Sequence, residues 1–417
     1  MWTKYVRREW ERCVSGGLGA LVAVCVLGAG LAIASLATAA TSATAQPVAN
    51  AADCADLFRF AHNPVPVAKT ADGQTTLATI RWGYNAIHNI CYLVLDDTAN
   101  AALRTAHQQT SPAGTYTAIT VGLNHSCAIA ADGQAVCWGD NRDGQANPPA
   151  GTYTAMATGV YHSCAIRADQ TIACWGRNND AYGTPRGHAK PPPGTYAAIA
   201  AGLYHSCALT TGGQAICWGH KRLGRADPPA GTFTAIAAGN AHSCALTTGG
   251  EAVCWGDNRH GQADPPVGTY TAITAGWGYT CALTTQGKAV CWGDNAVGQT
   301  RAPSGTYTAI AAGGHHSCAL TTQGRAVCWG HNYSGQADPP AGTYTAIAAG
   351  WNYTCALTTQ GKAVCWGDNS YGQADPPDGT YTAIAAGEFH SCAVATGGQA
   401  VCWDWRTNLP AKVSWVA

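Results

Sequence analysis

The chain has 417 residues, enough for about two or three ordinary domains, and its 47% hydrophobic content with 50 glycines is ample for a packed core. Lys plus Arg (23) balance Asp plus Glu (23) and charged residues make up only 11%, which excludes a basic field able to gather nucleic acid or anionic lipid. Twenty cysteines are far above cytosolic usage yet too sparse for a disulfide-only miniprotein, so their spacing decides their role.

Lys4, Arg7, Arg8 and Arg12 precede an uncharged stretch from Val14 to Ala40, followed by small residues ending Ser42-Ala43-Thr44-Ala45-Gln46. A basic flank, an apolar run and an Ala-x-Ala ending form an export signal, with cleavage expected after Ala45. The run is longer than a usual signal core, so the alternative is an uncleaved membrane anchor helix over residues 14–40. In both readings the chain beyond Gln46 faces out, and the expected localisation is secreted or extracytoplasmic, with no membrane contact other than that anchor. Residues 46–74 contain Asn63-Pro64-Val65-Pro66 and Cys54, show no clear period, and read as a linker.

From residue 75 to 417 a 37-residue unit recurs. An eroded copy comes first: Leu77-Ala-Thr-Ile80-Arg-Trp-Gly83 and Cys91-Tyr-Leu-Val-Leu match segments of the later copies, with Ala101 where a second cysteine would stand. Eight complete copies follow, with first cysteines at 127, 164, 207, 244, 281, 318, 355 and 392. Every interval is 37 except that from Cys164 to Cys207, where 43 marks a six-residue insertion around Asn179 to Ala189. At the other end Leu409-Pro-Ala-Lys-Val-Ser-Trp-Val-Ala417 echoes the start of a unit, and is expected to close a ring by pairing with N-terminal chain.

Each unit reads as three short strands, for example 344–349, Tyr353 to Thr358 and Lys362 to Trp366, and no stretch is long and periodic enough for a helix. The fold class is therefore all-β, a β-propeller of seven to nine blades with eight complete units counted. Within each unit the cysteines are ten apart: Cys127 with Cys137, Cys164 with Cys174, Cys207 with Cys217, Cys244 with Cys254, Cys281 with Cys291, Cys318 with Cys328, Cys355 with Cys365, and Cys392 with Cys402. A three-residue hairpin loop Ala131-Asp132-Gly133 sets Ala130 opposite Gln134 and hence Cys127 opposite Cys137, in a non-hydrogen-bonded pair with α-carbons about 4.5 Å apart, within disulfide reach. Zinc is the weaker alternative, because Cys-x9-Cys lacks knuckle spacing. Cys54 and Cys91 are left over as a candidate ninth pair.

The Thr-Thr-x-Gly turns are nearly constant, whereas two loops at the opposite end differ in every copy. The loop after the first-strand glycine carries Tyr161, Tyr204, Trp277, His315, Trp351 and Phe389; the loop after Trp-Gly carries Arg142, Arg222, Arg259, Tyr333 and Tyr371. Aromatic residues and Arg on one variable rim are the residue types that anchor interfaces; drift of unconstrained loops would favour small polar residues instead. The repeated His (125, 162, 205, 242, 316, 390) is replaced by Tyr279 and Tyr353, which suits a structural hydrogen bond and not a metal or catalytic ring. The repeated Trp of Cys-Trp-Gly reads as packing between blades. Asp-Asn-x-x-Gly-Gln lacks the acidic spacing of a calcium loop and reads as an Asx-type turn. No Gly-x-Ser-x-Gly, phosphate loop or singular Cys/His pair is present, so no catalytic residue, metal or cofactor is expected.

At Gly-x-x-His-Ser-Cys-Ala-Leu and Gly-x-Ala-Val-Cys-Trp-Gly-x-Asn-x-x-Gly-Gln, the copies resemble the RCC1-type repeat, a propeller family named for a eukaryotic regulator of chromosome condensation and shared by a secreted bacterial β-lactamase inhibitor protein. The resemblance covers about residues 75 to 417 and implies the fold; the family's usual seven blades differ from the eight complete units here. Its members do unrelated jobs, so the function expected is a non-catalytic binding module for a protein or glycan, with no nucleic acid partner. The alternatives are proteinaceous enzyme inhibition, and guanine-nucleotide exchange, which requires cytosolic residence.

Overall fold

The computed structural model describes residues 112–179 and 187–403 in full and, before them, the backbone of the strands Val65–Lys69, Thr75–Ala78, Ile80–Asn85, Ile90–Leu95 and Gln108–Thr110. The chain divides into two compact units, Met1–Ala106 and His107–Ala417. In the first, Val65–Lys69 pairs antiparallel with Thr75–Ala78, so the segment read as a linker contributes a strand; its ladder is irregular between Pro66 and Ala68, where a proline cannot donate. The eroded copy is a hairpin of Ile80–Asn85 and Ile90–Leu95 in a register of its own. Ile80 opposes Leu95, whereas in the first complete copy Ile119 opposes Ala128, the residue after the first cysteine. The signal or anchor segment, Cys54, the side chain of Cys91 and the terminal echo 409–417 lie outside the described residues. Among the described residues no helix is long and apolar enough to cross a membrane.

The second unit holds seven three-stranded antiparallel sheets and one of four strands. Blade 1 comprises Tyr116–Val121, His125–Ala130 and Ala135–Gly139; blades 2 to 8 span 153–176, 196–219, 233–256, 270–293, 307–330, 344–367 and 381–403. The middle strand is buried along its length, as from His125 to Ile129, because neighbouring blades cover both its faces; that is why it reads as a near-continuous apolar run. The hairpin turn matches its sequence signature, with Gly133 at φ 82° and the Ala130 amide donating to the Gln134 carbonyl at 2.8 Å. Cys127 accordingly faces Cys137, and all eight such pairs are disulfides with Cα separations of 4.0 to 4.1 Å.

The hydrophobic cores lie between blades. Cys127 and Ile129 of blade 1 pack with Tyr153, Ala165 and Trp175 of blade 2, and the same set recurs at each junction. Blade 8 meets blade 1 in the same way, Cys392 and Val394 against Tyr116, Ala128 and Trp138, so the ring closes at eight. Its fourth strand is Gln108–Thr110, paired with the outer strand of blade 8. The closing strand seen is thus supplied from the N-terminal side of the ring.

A polar chain runs round the same junctions. His125 Nε2 shares a hydrogen bond with Ser163 Oγ (2.8 Å), His162 with Ser206 (2.7 Å), His205 with Ser243 (2.8 Å), His242 with Thr280 (2.8 Å), His316 with Thr354 (2.8 Å) and His390 with Ser126 (2.7 Å). In blades 5 and 7 the tyrosines take over: Tyr279 donates to the His316 carbonyl and accepts from Ser317 Oγ at 3.1 Å, and Tyr353 donates to the His390 carbonyl at 2.6 Å. All eight junctions are therefore linked. The first-strand glycine leaves room for this ring: a Cβ on Gly122 would stand 2.6 Å from both His125 Cε1 and the Gly159 carbonyl oxygen of the next blade.

Candidate functional site

The two variable loops share one end of the ring because backbone bonds tie them together. The amide after Trp-Gly donates to the second residue of the first-strand loop, as Asp140 N to Asn124 O (2.8 Å), Arg177 N to Tyr161 O (2.9 Å) and His331 N to His315 O (2.9 Å). The first residue of each loop faces inward instead, lining a central cavity of about 210 Å³. Its wall has two arcs: Leu123, Val160 and Leu203 of blades 1 to 3 are aliphatic, while blades 4 to 8 present Asn240, Trp277, Gly314, Trp351 and Glu388.

Trp277 and Trp351 belong to blades 5 and 7, yet their rings meet edge to face with centroids 4.4 Å apart. Gly314 of the intervening blade makes this possible, since a Cβ there would lie 3.0 Å from Trp351 Cδ2. His315 adds a second edge-on contact to Trp351 at 5.5 Å, and burial holds its pKa below the ordinary histidine value. Trp277 stays 38% exposed, so the pair is a braced aromatic plate at the mouth of the cavity.

The other predicted rim residues form separate groups. Tyr161 stacks on Tyr204 at 5.8 Å, Arg177 lies 5.0 Å over the Tyr161 ring, and His220 packs on Tyr204. Tyr371 and Phe389 meet edge to face at 5.4 Å. Tyr333 is 92% exposed beside His331, and Arg222 is exposed in the short turn Arg222–Gly224. Arg142 and Arg259 each fork onto an aspartate two residues back, Asp140 at 2.6 Å and Asp257 at 2.7 Å, which stiffens their loops. Arg177, His220 and Asn240 were not singled out as site residues; Gly314 was the available signal, a bare position aligned with Trp277 and Trp351 that marks a gap for a neighbour to fill.

The remaining repeated residues are structural. Asn141 Oδ1 accepts from the Ala146 amide (3.0 Å) and Gln145 Oε1 from that of Asp143 (2.9 Å), so the loop oxygens satisfy their own backbone, and blades 4 to 7 repeat the pattern. The repeated tryptophans of blades 2 to 8 donate across the junction, as Trp175 Nε1 to the Gln145 carbonyl at 3.0 Å and Trp292 to that of Gln262 at 3.1 Å.

The family model for the regulator of chromosome condensation (RCC1) repeat matches seven of these copies, at residues 116–145, 153–183, 196–224, 233–262, 270–299, 307–336 and 344–373. The chain belongs to the RCC1-repeat family. Similar solved structures include the ectodomain of the receptor kinase CR4 from Physcomitrella patens, with 26% identity over 70% of this chain and 74% of that one and a TM-score of 0.48. The ectodomain of the Arabidopsis thaliana receptor kinase ACR4 shares 24% identity over 61% of this chain and 96% of its own, with a TM-score of 0.48. Prp20p from Saccharomyces cerevisiae shares 18% over 69% and 81%, with a TM-score of 0.45. No curated protein matches the chain.

Among the described residues, two blades of this RCC1-repeat ring depart from the Gly-Gln loop ending. His188 in blade 2 and Arg225 in blade 3 occupy the buried glutamine position, and their carbonyls keep the tryptophan bonds, from Trp218 at 3.0 Å and Trp255 at 3.2 Å. Arg225 Nε donates to the Arg222 carbonyl at 2.9 Å. The eight disulfides of this chain suit an oxidising compartment.

Proposed function

We propose that this RCC1-repeat ring is an exported, non-catalytic binding module that takes a protein or glycan partner on its variable rim. The observation that carries the reading is the uneven distribution of diversity. The junctions repeat almost unchanged around the ring, whereas one end bears a braced tryptophan pair, a tyrosine stack and exposed arginines. Partly exposed Trp277 is the kind of side chain that retains an unfavourable hydration in the free protein and loses it on binding. Export accounts for the signal-like N-terminus and for eight disulfides together.

The test is capture of partners from the host's envelope and culture fluid by immobilised protein. A Trp277→Ala, Trp351→Ala double variant should lose specific capture while still folding and melting cooperatively, at a stability lowered by the lost aromatic contact, about 0.5–1.5 kcal/mol, and by the area no longer buried. Unchanged capture by a folded double variant would refute the rim. Enzyme inhibition would use the same rim and is separated by a β-lactam hydrolysis assay with purified protein. Nucleotide exchange requires a reducing cytosol, in which eight structural disulfides would not persist. The intact mass of host-purified protein, alkylated under denaturing conditions without reduction, checks export: it should begin at Gln46 and carry no alkyl groups on the blade cysteines.

A further inference from the structure

In blades 1 and 4 to 7 the glutamine that closes the loop after Trp-Gly accepts from the amide two residues before it, as Gln262 Oε1 from His260 at 2.8 Å. In blades 1 and 4 the loop also neutralises its own arginine, Arg142 on Asp140 and Arg259 on Asp257. Blade 3 carries His220-Lys221-Arg222-Leu223-Gly224-Arg225 in the same stretch, and two exchanges change its chemistry.

His220 stands at the aspartate position. Its Nδ1 still accepts the Arg222 amide, at 3.1 Å, but it brings no carboxylate for the guanidinium. Lys221 and Arg222 are both exposed, and neither has an ion pair among the described residues. Arg225 stands at the glutamine position and can only donate, so the Leu223 amide loses its acceptor and the Arg222 carbonyl accepts from Arg225 Nε at 2.9 Å. Leu223 takes up φ 66° and ψ 17°, a left-handed conformation unfavourable for any residue but glycine, and still leaves 41% of its surface open.

The surroundings add charge of the same sign. From Arg177 to Arg225 the sequence carries six Lys or Arg and one acidic residue, Asp180, in a chain whose charges cancel overall. Burial lowers the Arg225 pKa, Asp257 raises it, and the charges of Arg222 and Arg259 lower it again, so three guanidiniums share one neighbourhood. The complement of an apolar tip flanked by unneutralised cations is an apolar side chain beside a carboxylate. Neighbouring residues of a polypeptide offer both, whereas a sulfated glycan or a nucleic acid strand offers anions without an aliphatic side chain to cover Leu223.

We infer that the blade 3 loop, through Lys221, Arg222 and Leu223, docks an acidic segment of a protein partner in which an apolar residue adjoins Asp or Glu. This rests on the rim-binding reading and narrows it to one partner class at one blade.

A displayed library of random peptides, selected on the immobilised oxidised full chain, tests it, with each clone compared on the parent and on a Lys221→Asn, Arg222→Ser variant. The expected result is a set of clones held by the parent alone, enriched in Asp or Glu next to Leu, Ile, Val or Phe. Synthetic copies should bind Arg222→Ser about fivefold more weakly. His220→Asp should weaken them equally, because it supplies the carboxylate that Arg142 and Arg259 already have. Leu223→Gly, which relieves the left-handed strain, should melt no lower than the parent and yet bind the peptides more weakly. Clones that do not distinguish the parent from the double variant, or distinguishing clones without acidic residues, overturn the inference. Peptides that bind Leu223→Gly like the parent also overturn it, as does a heparin fragment or an oligothymidylate bound as tightly as the peptides, because the loop would then attract any anion. If the acidic peptides fail while capture of host partners still depends on Trp277 and Trp351, this docking point falls and the rim reading stands; failure of both overturns both.

Discussion

At the scale of single residues, the buried histidines make the ring acid-sensitive. Burial lowers His125 and His242 to about 4 and His162 and His316 to about 3, against about 6.5 when unfolded. The unfolded chain therefore takes up protons first as pH falls, so the stabilisation is complete above pH 6.5 and is lost between there and about pH 3 to 4. By pH 4 a histidine held near 4 accounts for a loss of about 3 kcal/mol. Melting curves should shift downward steeply between pH 7 and pH 4.5, and a His242→Tyr variant, copying blades 5 and 7, should show a shallower slope. A melting temperature flat across that range would contradict the neutral-histidine ring. The structural role of these side chains was legible because tyrosine replaces them twice at fixed spacing. The hydroxyl they reach was not: it belongs to the next copy, and a one-dimensional repeat does not say which neighbour a side chain leans toward.

At the scale of elements, strand order, turn position and cysteine register all followed from hairpin counting, because a three-residue turn with glycine at its last position fixes every pair beyond it. Each disulfide spans ten residues of that hairpin. Loop-closure entropy for so short a loop stabilises by about 3 kcal/mol, and Cys281 also packs against the Tyr307 and Trp329 of the next blade. A Cys281→Ala, Cys291→Ala variant should lose at least about 2 kcal/mol of unfolding free energy, read as a lowered urea midpoint. A midpoint equal to the parent's would mean that the hairpin is held by packing alone. The site was less legible than its scaffold. Sequence placed both variable loops on one rim, but did not tell which residue of each loop turns inward, nor that tryptophans two blades apart touch. That contact depends on an absent side chain at Gly314, and absence is weakly coded.

At the scale of the whole ring, counting copies left seven to nine blades open; the core between blade 8 and blade 1 decides for eight, and the seam was the part that counting did not locate. Blade 8 would expose an unpaired outer edge, and Gln108–Thr110 covers it, with Thr110 opposite Val401 and Gln108 opposite Trp403. Deleting Gln108–Thr110 should raise amide exchange at Val401 to Trp403 selectively and lower the melting temperature, because the seam is where a closed ring can first open. Unaltered exchange there would show that the seam is closed by the blade 8 to blade 1 core alone.

The joint between neighbouring blades has a further consequence. One disulfide, one tryptophan and one link from His or Tyr to a neighbouring Ser, Thr or backbone carbonyl recur at every joint, so each turns the path of the chain by the same eighth of a circle. Such a wheel has no keystone. Gaining or losing one spoke through unequal copying of near-identical repeats would ask every joint to change its angle slightly rather than one joint to fail. The circumference is thus set by a shared bend, and a lineage could resize the wheel while keeping its joinery.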